Sequence, residues 1–227
     1  MNSITLTPRL LCVASQVKAK TAADVGTDHA YIPIRLVSDG VCSRVTATDI
    51  RPGPLSIAEA NIKKHGLSDK IETRLGSGLS PLRPGEAEDI IIAGMGGEMI
   101  ISILAENEKT AKNSRLILQP MNSQYELRHY LIENGYVITA EDIAVEGFKV
   151  YNIIVCEAGE GAVFACDAFY HLPPYLVSNK NFAALYAKKR REIDRVIRGL
   201  ESSAAPDTEK LEKYRKWSKE LDYYEGL

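Results

Sequence analysis

Two short apolar runs, each ending near a carboxylate, fix most of what this chain can fold into. Thr21-Ala-Ala-Asp-Val-Gly-Thr-Asp-His-Ala-Tyr-Ile-Pro33 reads as a strand with Asp24 near its end, a turn at Gly26 and then a helix. The next strand, over 44–48, runs into Asp49. This is the front half of a nucleotide-cofactor site in a doubly wound α/β domain, where ligands sit beyond the carboxyl ends of parallel strands. Asp49 follows Gly26 by 23 positions, near the roughly 20-residue interval at which an acidic group reaches a ribose hydroxyl.

The turn holds one glycine and not the GxGxxG that brings backbone against a pyrophosphate. A cofactor with a ribose and no phosphates fits it better, and S-adenosylmethionine is the candidate. The helix N-terminus that follows would face the cofactor's carboxylate.

The alternation continues along the chain. Thr7 as N-cap and Pro8 at the first helical position open a helix striped with Leu10, Leu11, Ala14 and Val17. A helix over 29–40 stops at Gly40, Pro54 opens another that Gly66 closes, and 70–75 is a strand. The β-branched run over 88–93 suits a strand buried on both faces. A glycine-rich loop and a helix over 97–104 follow, then a strand over 115–119. Ser123 with Glu126 three residues on is a capping box for a helix that Gly135 ends. Strands over 136–145 and 149–156, joined through Gly147, form an antiparallel hairpin. The expectation is an α/β, doubly wound (Rossmann-like), mixed seven-stranded sheet with one reversed strand.

Residues 1–160 make that domain, and 161–174, with glycines and Pro173-Pro174 and no period, form a linker. In 175–227, Phe182, Leu185, Ile193, Val196 and Leu200 mark one helical face, interrupted by Lys189. Leu211, Tyr214, Trp217, Leu221 and Tyr224 mark a second. Two such helices form an antiparallel hairpin or short coiled coil. This tail holds 12 Lys/Arg against 9 Asp/Glu, in a chain whose net charge is −2. Its run Lys188-Lys189-Arg190-Arg191 is either a solvated helix face or a phosphate-binding patch for nucleic acid.

No apolar run approaches the ~18 residues of a membrane span, and the start has no secretory pattern. Cys12, Cys42, Cys156 and Cys166 contain no CxxC pair and read as reduced thiols. A cytoplasmic protein without a metal site is expected, and a monomer is favoured.

The chemistry-bearing positions follow from the alternation. Asp28 stands beside the first turn, where a carboxylate near a sulfonium would help bind a cationic donor; it also suits a helix N-cap. His29 reads as a cofactor-shell residue and not as a general base. Ala93-Gly94-Met95-Gly96-Gly97 falls where an acceptor should meet the methyl group. It offers neither the amide nor the aromatic ring that grips an exocyclic amine, which favours an acceptor atom with no proton to lose.

Taken together, Leu6-Thr-Pro-Arg-Leu10, the string from Asp24 to Pro33, Gly53-Pro54, Gly76-Ser-Gly-Leu79, Ala93–Gly97 and Leu118-Gln-Pro120 resemble the bacterial tRNA (adenine(22)-N1)-methyltransferase family. The resemblance runs over about residues 5–158. It implies the class I methyltransferase fold, S-adenosylmethionine as donor and a D-loop adenine of tRNA as acceptor, with the helical tail as the tRNA-binding part. By position, Asp24, Gly26, Thr27, Asp28 and His29 would line the donor, Asp49 and Ile50 would take its ribose end, and Gly76, Ser77 and Gly78 its adenine. Ala93, Gly94, Met95 and Gly96 would frame the methyl group. Arg9, Gly97, Gln119, Pro120 and Asn122 would face the acceptor, and Lys188, Lys189, Arg190 and Arg191 the RNA. Where the family more often has Asp, this chain has Ser77, which implies weaker donor binding. It also has Asp49 where Glu is frequent. Asp28, a carboxylate at an unusual place in the first motif, is the candidate catalytic residue, as an electrostatic stabiliser and orienter of the acceptor. The alternatives are a related methyltransferase acting on another nucleobase or small molecule, a non-catalytic cofactor- or RNA-binding protein, and, less compatible with the single-glycine turn, a nicotinamide dehydrogenase.

Overall fold

The computed structural model describes residues 4–225. Its centre is a seven-stranded sheet in the order β3-β2-β1-β4-β5-β7-β6. The strands are β1 (Thr21–Val25), β2 (Arg44–Asp49), β3 (Ile71–Leu75), β4 (Asp89–Met95), β5 (Arg115–Pro120), β6 (Tyr136–Glu146) and β7 (Lys149–Ala158). β1 to β5 are parallel, and β7 runs antiparallel to both β5 and β6. β1 is flanked by β2 and β4, so the topological switch point falls between β1 and β4.

Alternate residues of the strands serve two cores. Ala22, Ala47, Ile91, Ile117 and Ile153 point to one face. Ala23, Val25, Ile90, Ile92, Leu116 and Leu118 point to the other. That period of two, with both faces apolar, is what a doubly covered parallel sheet requires. The covering helices are α1 (Pro8–Ser15), α2 (Tyr31–Ser38), α3 (Pro52–Lys64), α4 (Gly97–Glu106), α5 (Glu108–Lys112) and α6 (Gln124–Glu133).

Several expected boundaries move. Thr7 caps α1 as expected, its Oγ1 accepting from Leu10 N. α2 begins two residues later than His29, α3 opens at Pro52 and not Pro54, and α5 carries no apolar period that would announce it. Ser123 does not cap α6: it sits at φ +50° and its side chain makes no capping bond. β4 runs on through Ala93-Gly94-Met95 with a bulge, so the expected loop is largely strand.

Residues 161–174 are not a bare linker. They hold a short helix, α7 (Asp167–His171), followed by a 3₁₀ turn at Pro174–Ser178. Arg128 of α6 and Glu141 of β6, both fully buried, meet through two bonds of 2.9 and 2.6 Å. Arg128 also donates to the Tyr170 carbonyl at 2.8 Å, and the Tyr175 hydroxyl donates to Glu141 at 2.6 Å. A buried bidentate pair that ties three segments fixes their relative placement.

α8 (Phe182–Glu201) and α9 (Thr208–Leu221) form the expected helical hairpin. It packs through Phe182, Leu185, Ile193, Trp217 and Leu221 onto Ile143 of β6 and Val150 of β7. The hairpin is therefore seated on the β7-β6 end of the sheet.

Candidate active site

The carboxyl ends of β1, β2 and β4 open into two adjoining cavities that share Gly26, Ala93 and Gly94. The larger, about 530 Å³, lies over β2 and β4 and includes Asp49, Ile50, Gly76, Ser77, Gly78 and Met95. The other, about 370 Å³, lies over β1 and includes Arg9, Asp24, Thr27, Asp28 and His29. Fourteen positions were expected around a donor, and of these Gly96 alone lines neither cavity.

Gly26 explains why the two cavities can meet. Its φ is +77°, and a Cβ there would run into the Met95 side-chain methyl. Gly97 is required for a different reason. A Cβ on it would lie 2.6 Å from the Ser123 carbonyl oxygen and 2.7 Å from that of Asn122. The first turn of α4 is thereby pressed against the loop after β5, and Asn122 Oδ1 accepts from Gly97 N at 3.1 Å.

Asp24 and Asp49 are both buried. Burial pushes the Asp24 carboxyl up to about 6, and the Asp49 charge adds to the rise. The Thr27 hydroxyl opposes the shift but does not reach full hydrogen-bond geometry. Asp24 is thus a carboxylate held in want of a cation. Asp49 uses Oδ1 to accept from Arg51 N at 2.8 Å, which leaves Oδ2 for a ligand. Beside it the Thr48 hydroxyl is buried with no partner among the described residues. Ile50 and Met99, 63% and 58% exposed, add apolar walls. Carboxylate, orphan hydroxyl, apolar slot and glycine walls fit a nucleoside cofactor.

Asp28 is free of the capping role its position suggested, since the residue before α2 is Ala30 at φ +55°. Its side chain is 70% exposed, and its one close partner is His29 Nε2 at 3.4 Å. The His29 ring stacks on Tyr31 at 5.0 Å, in keeping with a shell residue. Ala30 and Ser123 are the two non-glycine residues at positive φ among the described residues. Both lie beside the site, where strain of this kind tends to collect.

Of the positions expected to face the acceptor, Gln119, Pro120 and Gly97 are buried. Arg9 is engaged by Gln119, and Asn122 holds the start of α4. The basic run is largely consumed within the protein. Lys188 donates to the Val150 carbonyl at 2.8 Å and buried Lys189 pairs with Glu192 at 2.9 Å. Arg190 binds the Ser218 carbonyl at 2.6 Å and Asp222 at 2.7 Å. Of the four, Arg191 stays exposed, and Arg195 and Arg198 continue its stripe. The four cysteines are free thiols. Among the described residues no cluster of His, Cys, Asp or Glu is arranged to hold a metal ion, and no helix is long and apolar enough to cross a membrane.

A reversed last strand, two carboxylates at the ends of β1 and β2, and a crevice across the switch point define a class I methyltransferase. The family described as "Methyltransferase domain" matches residues 6–154. The tRNA (adenine(22)-N(1))-methyltransferase of Bacillus subtilis (strain 168) is 36% identical over 195 residues, 83% of this chain and 81% of that protein. The chain belongs to the tRNA (adenine(22)-N1)-methyltransferase family. Sp1610 of Streptococcus pneumoniae, solved with S-adenosyl-L-methionine, superposes with a TM-score of 0.84 at 32% identity, covering 96% of this chain and 99% of that one. TrmK of M. capricolum, solved with S-adenosyl-homocysteine, gives 0.83 at 25% identity over 98% of each chain.

Proposed function

We propose that this protein transfers a methyl group from S-adenosylmethionine to N1 of adenine 22 in the D-loop of tRNA. The observation that carries the reading is the pair of joined cavities, with carboxylates at the donor end and the base-free Ala93–Gly97 stretch at the transfer end. S-adenosylmethionine supplies a methyl group already activated by a positive sulfur.

The protein's own residues then have three tasks. Asp24 gives the cationic end of the donor a buried counter-charge, and Asp49 accepts from its ribose. Ile50, Met99 and the glycines around Ser77 flank its adenine. Adenine N1 has a lone pair and no proton, so the site needs no general base; alignment and exclusion of water suffice. N1 lies on the Watson–Crick edge, so the target base must be unpaired or swung out.

As the ring gains positive charge, its N6 amino group becomes a stronger donor. A carboxylate that accepts from N6 stabilises the transition state more than the ground state. We assign that role to Asp28, exposed at the mouth of the donor cavity. Residues 1–160 act as the transfer domain and 175–227 as the tRNA-docking hairpin, with Arg191, Arg195 and Arg198 towards the phosphates. We take the protein to act on tRNA in the cytoplasm as a monomer; no helix among the described residues is long and apolar enough to cross a membrane.

Transfer of labelled methyl groups to unmodified tRNA, by wild type and by Asp28→Asn, tests this. Wild type should label tRNA, and the variant should turn over roughly tenfold to a thousandfold slower with unchanged donor affinity. A variant with wild-type turnover would remove Asp28 from the chemistry.

A further inference from the structure

The helical hairpin and the loop after β5 enclose a cavity of about 240 Å³, apart from the two that form the transfer site. Asn122, Tyr125 and Glu126 line it on one side, His171 of α7 and Lys188 and Lys189 of α8 on the other. Asn122 links it to the transfer site through its bond to Gly97 N. The loop between them is held by Ser123 in its left-handed conformation.

The lining is built for a planar polar ring. The Tyr125 and His171 rings stack at 4.4 Å, and Trp217, outside the lining, packs on both at 5.1 Å from Tyr125 and 4.2 Å from His171. His171 is 8% exposed, and neither of its ring nitrogens has a partner among the described residues. Burial, helped by the Lys189 charge, pushes its pKa down to about 2, so the imidazole is neutral. It then carries one donor and one acceptor, both unused. Buried polar groups without partners are few in folded proteins, and each calls for a cause.

The charges do not favour an anion. Lys188 is tied to a backbone carbonyl, Lys189 to Glu192, and Glu126 shares the rim. The volume lies below the roughly 300–1,000 Å³ of pockets that enclose a whole small molecule. It suits one ring better than a complete nucleotide.

We propose that this cavity receives one unpaired base of the RNA substrate, other than the base that is methylated, seated against Tyr125 and read by the His171 imidazole. Sequence-selective RNA recognition works on unpaired loop bases in this manner, by aromatic contact and hydrogen bonds to base edges. The inference rests on the tRNA reading above. It gives the helical hairpin a part in selecting the loop as well as in holding phosphates.

His171→Phe keeps an aromatic ring and removes both hydrogen-bonding atoms, and His171→Gln restores a donor and an acceptor. Trp217 is the chain's one tryptophan and packs on Tyr125 and His171, so its emission reports on those two lining rings. The experiment titrates unmodified tRNA against Trp217 fluorescence. It then measures kcat and KM on transcripts in which each unpaired D-loop base is changed in turn. In wild type the emission should shift on binding, and one base change outside the target should raise KM about tenfold. His171→Phe should raise KM for the natural tRNA about as much, leave kcat within about twofold, and no longer distinguish that base. His171→Gln should recover part of the loss. Wild-type KM and base preference in His171→Phe, or an unmoved Trp217 signal while transfer proceeds, would overturn the base cavity and leave the tRNA reading standing. Absence of transfer to any tRNA would overturn both.

Discussion

Arg9, on the wall of the transfer site, and Gln119, buried beneath it, are locked together: Arg9 Nη1 donates to Gln119 Oε1 at 2.7 Å, and that oxygen also accepts the Gly94 N–H at 3.1 Å. Helix α1 is thereby tied to the bulge of β4 through a fully buried carboxamide. The Arg9 guanidinium also lies 5.6 Å from the Tyr151 ring centroid. We assign Arg9 a positioning role for the Ala93–Gly97 stretch.

Arg9→Met keeps the stem and removes the fork. Because small misplacements near reacting atoms are costly, transfer should fall roughly tenfold to a hundredfold. Donor affinity should stay within about threefold, and the salt dependence of tRNA binding should not change. A salt slope smaller by about one would mark Arg9 as a phosphate contact instead.

Asp24 makes the donor site pH-sensitive. Its carboxyl, ordinarily at 3.8, is raised to about 6. The folded form holds that proton more tightly than the unfolded chain, so this group favours folding most below about pH 4 and progressively less up to about pH 6. The penalty at neutral pH is about 3 kcal/mol. Asp24→Asn should therefore melt several degrees higher at pH 7 without donor, show no such gain at pH 4, and bind donor at least about tenfold more weakly. In wild type, donor affinity should fall about tenfold for each pH step below 6. A flat affinity between pH 5 and 7 would exclude Asp24 as the counter-charge.

Ser77 sits exposed on the wall of the larger cavity, between Gly76 and Gly78. A carboxylate accepts a hydrogen bond about twice as strongly as a hydroxyl. Ser77→Asp should tighten S-adenosylmethionine about threefold to tenfold by calorimetric titration. No gain would place the cofactor's amino group beyond this position.

Charge along a helix cannot be read as free charge. The run over 188–191 looked like one patch because its partners lie elsewhere: Val150 is far back in the chain, and Ser218 and Asp222 are on the next helix. The exposed stripe is Arg191, Arg195 and Arg198. Their joint change to Gln should lower the salt slope of tRNA binding by about two to three, with donor affinity intact. Arg190→Gln should instead lower the melting temperature. A triple variant with an unchanged slope would move the RNA path off α8.

The sheet was readable because its strands repeat one physical pattern. The Ile90-Ile91-Ile92 run could only be buried on both faces, and Gly147 could only join a hairpin. Asp24 and Asp49 were readable because they lie at the carboxyl ends of two adjacent parallel strands whatever the rest does. What escaped depends on contacts distant in sequence. Ser123 looked like a cap, but it sits in a left-handed turn whose carbonyl packs against Gly97, a contact between residues distant in sequence. Residues 161–174 show no long period because their helix is only five residues, too short to repeat, and they are anchored by scattered apolar contacts of Ala168 and Leu172 together with the Arg128 bond to the Tyr170 carbonyl. Gln119 and Arg9 were placed near the acceptor, yet only the fold reveals that they meet each other.

The most direct test is nucleoside mass spectrometry, with position mapping, of unmodified tRNA treated with this protein and S-adenosylmethionine. The account predicts one N1-methyladenosine per substrate tRNA, at position 22 of the D-loop. Donor binding followed by methylation at another atom or another position, or by none, would contradict it.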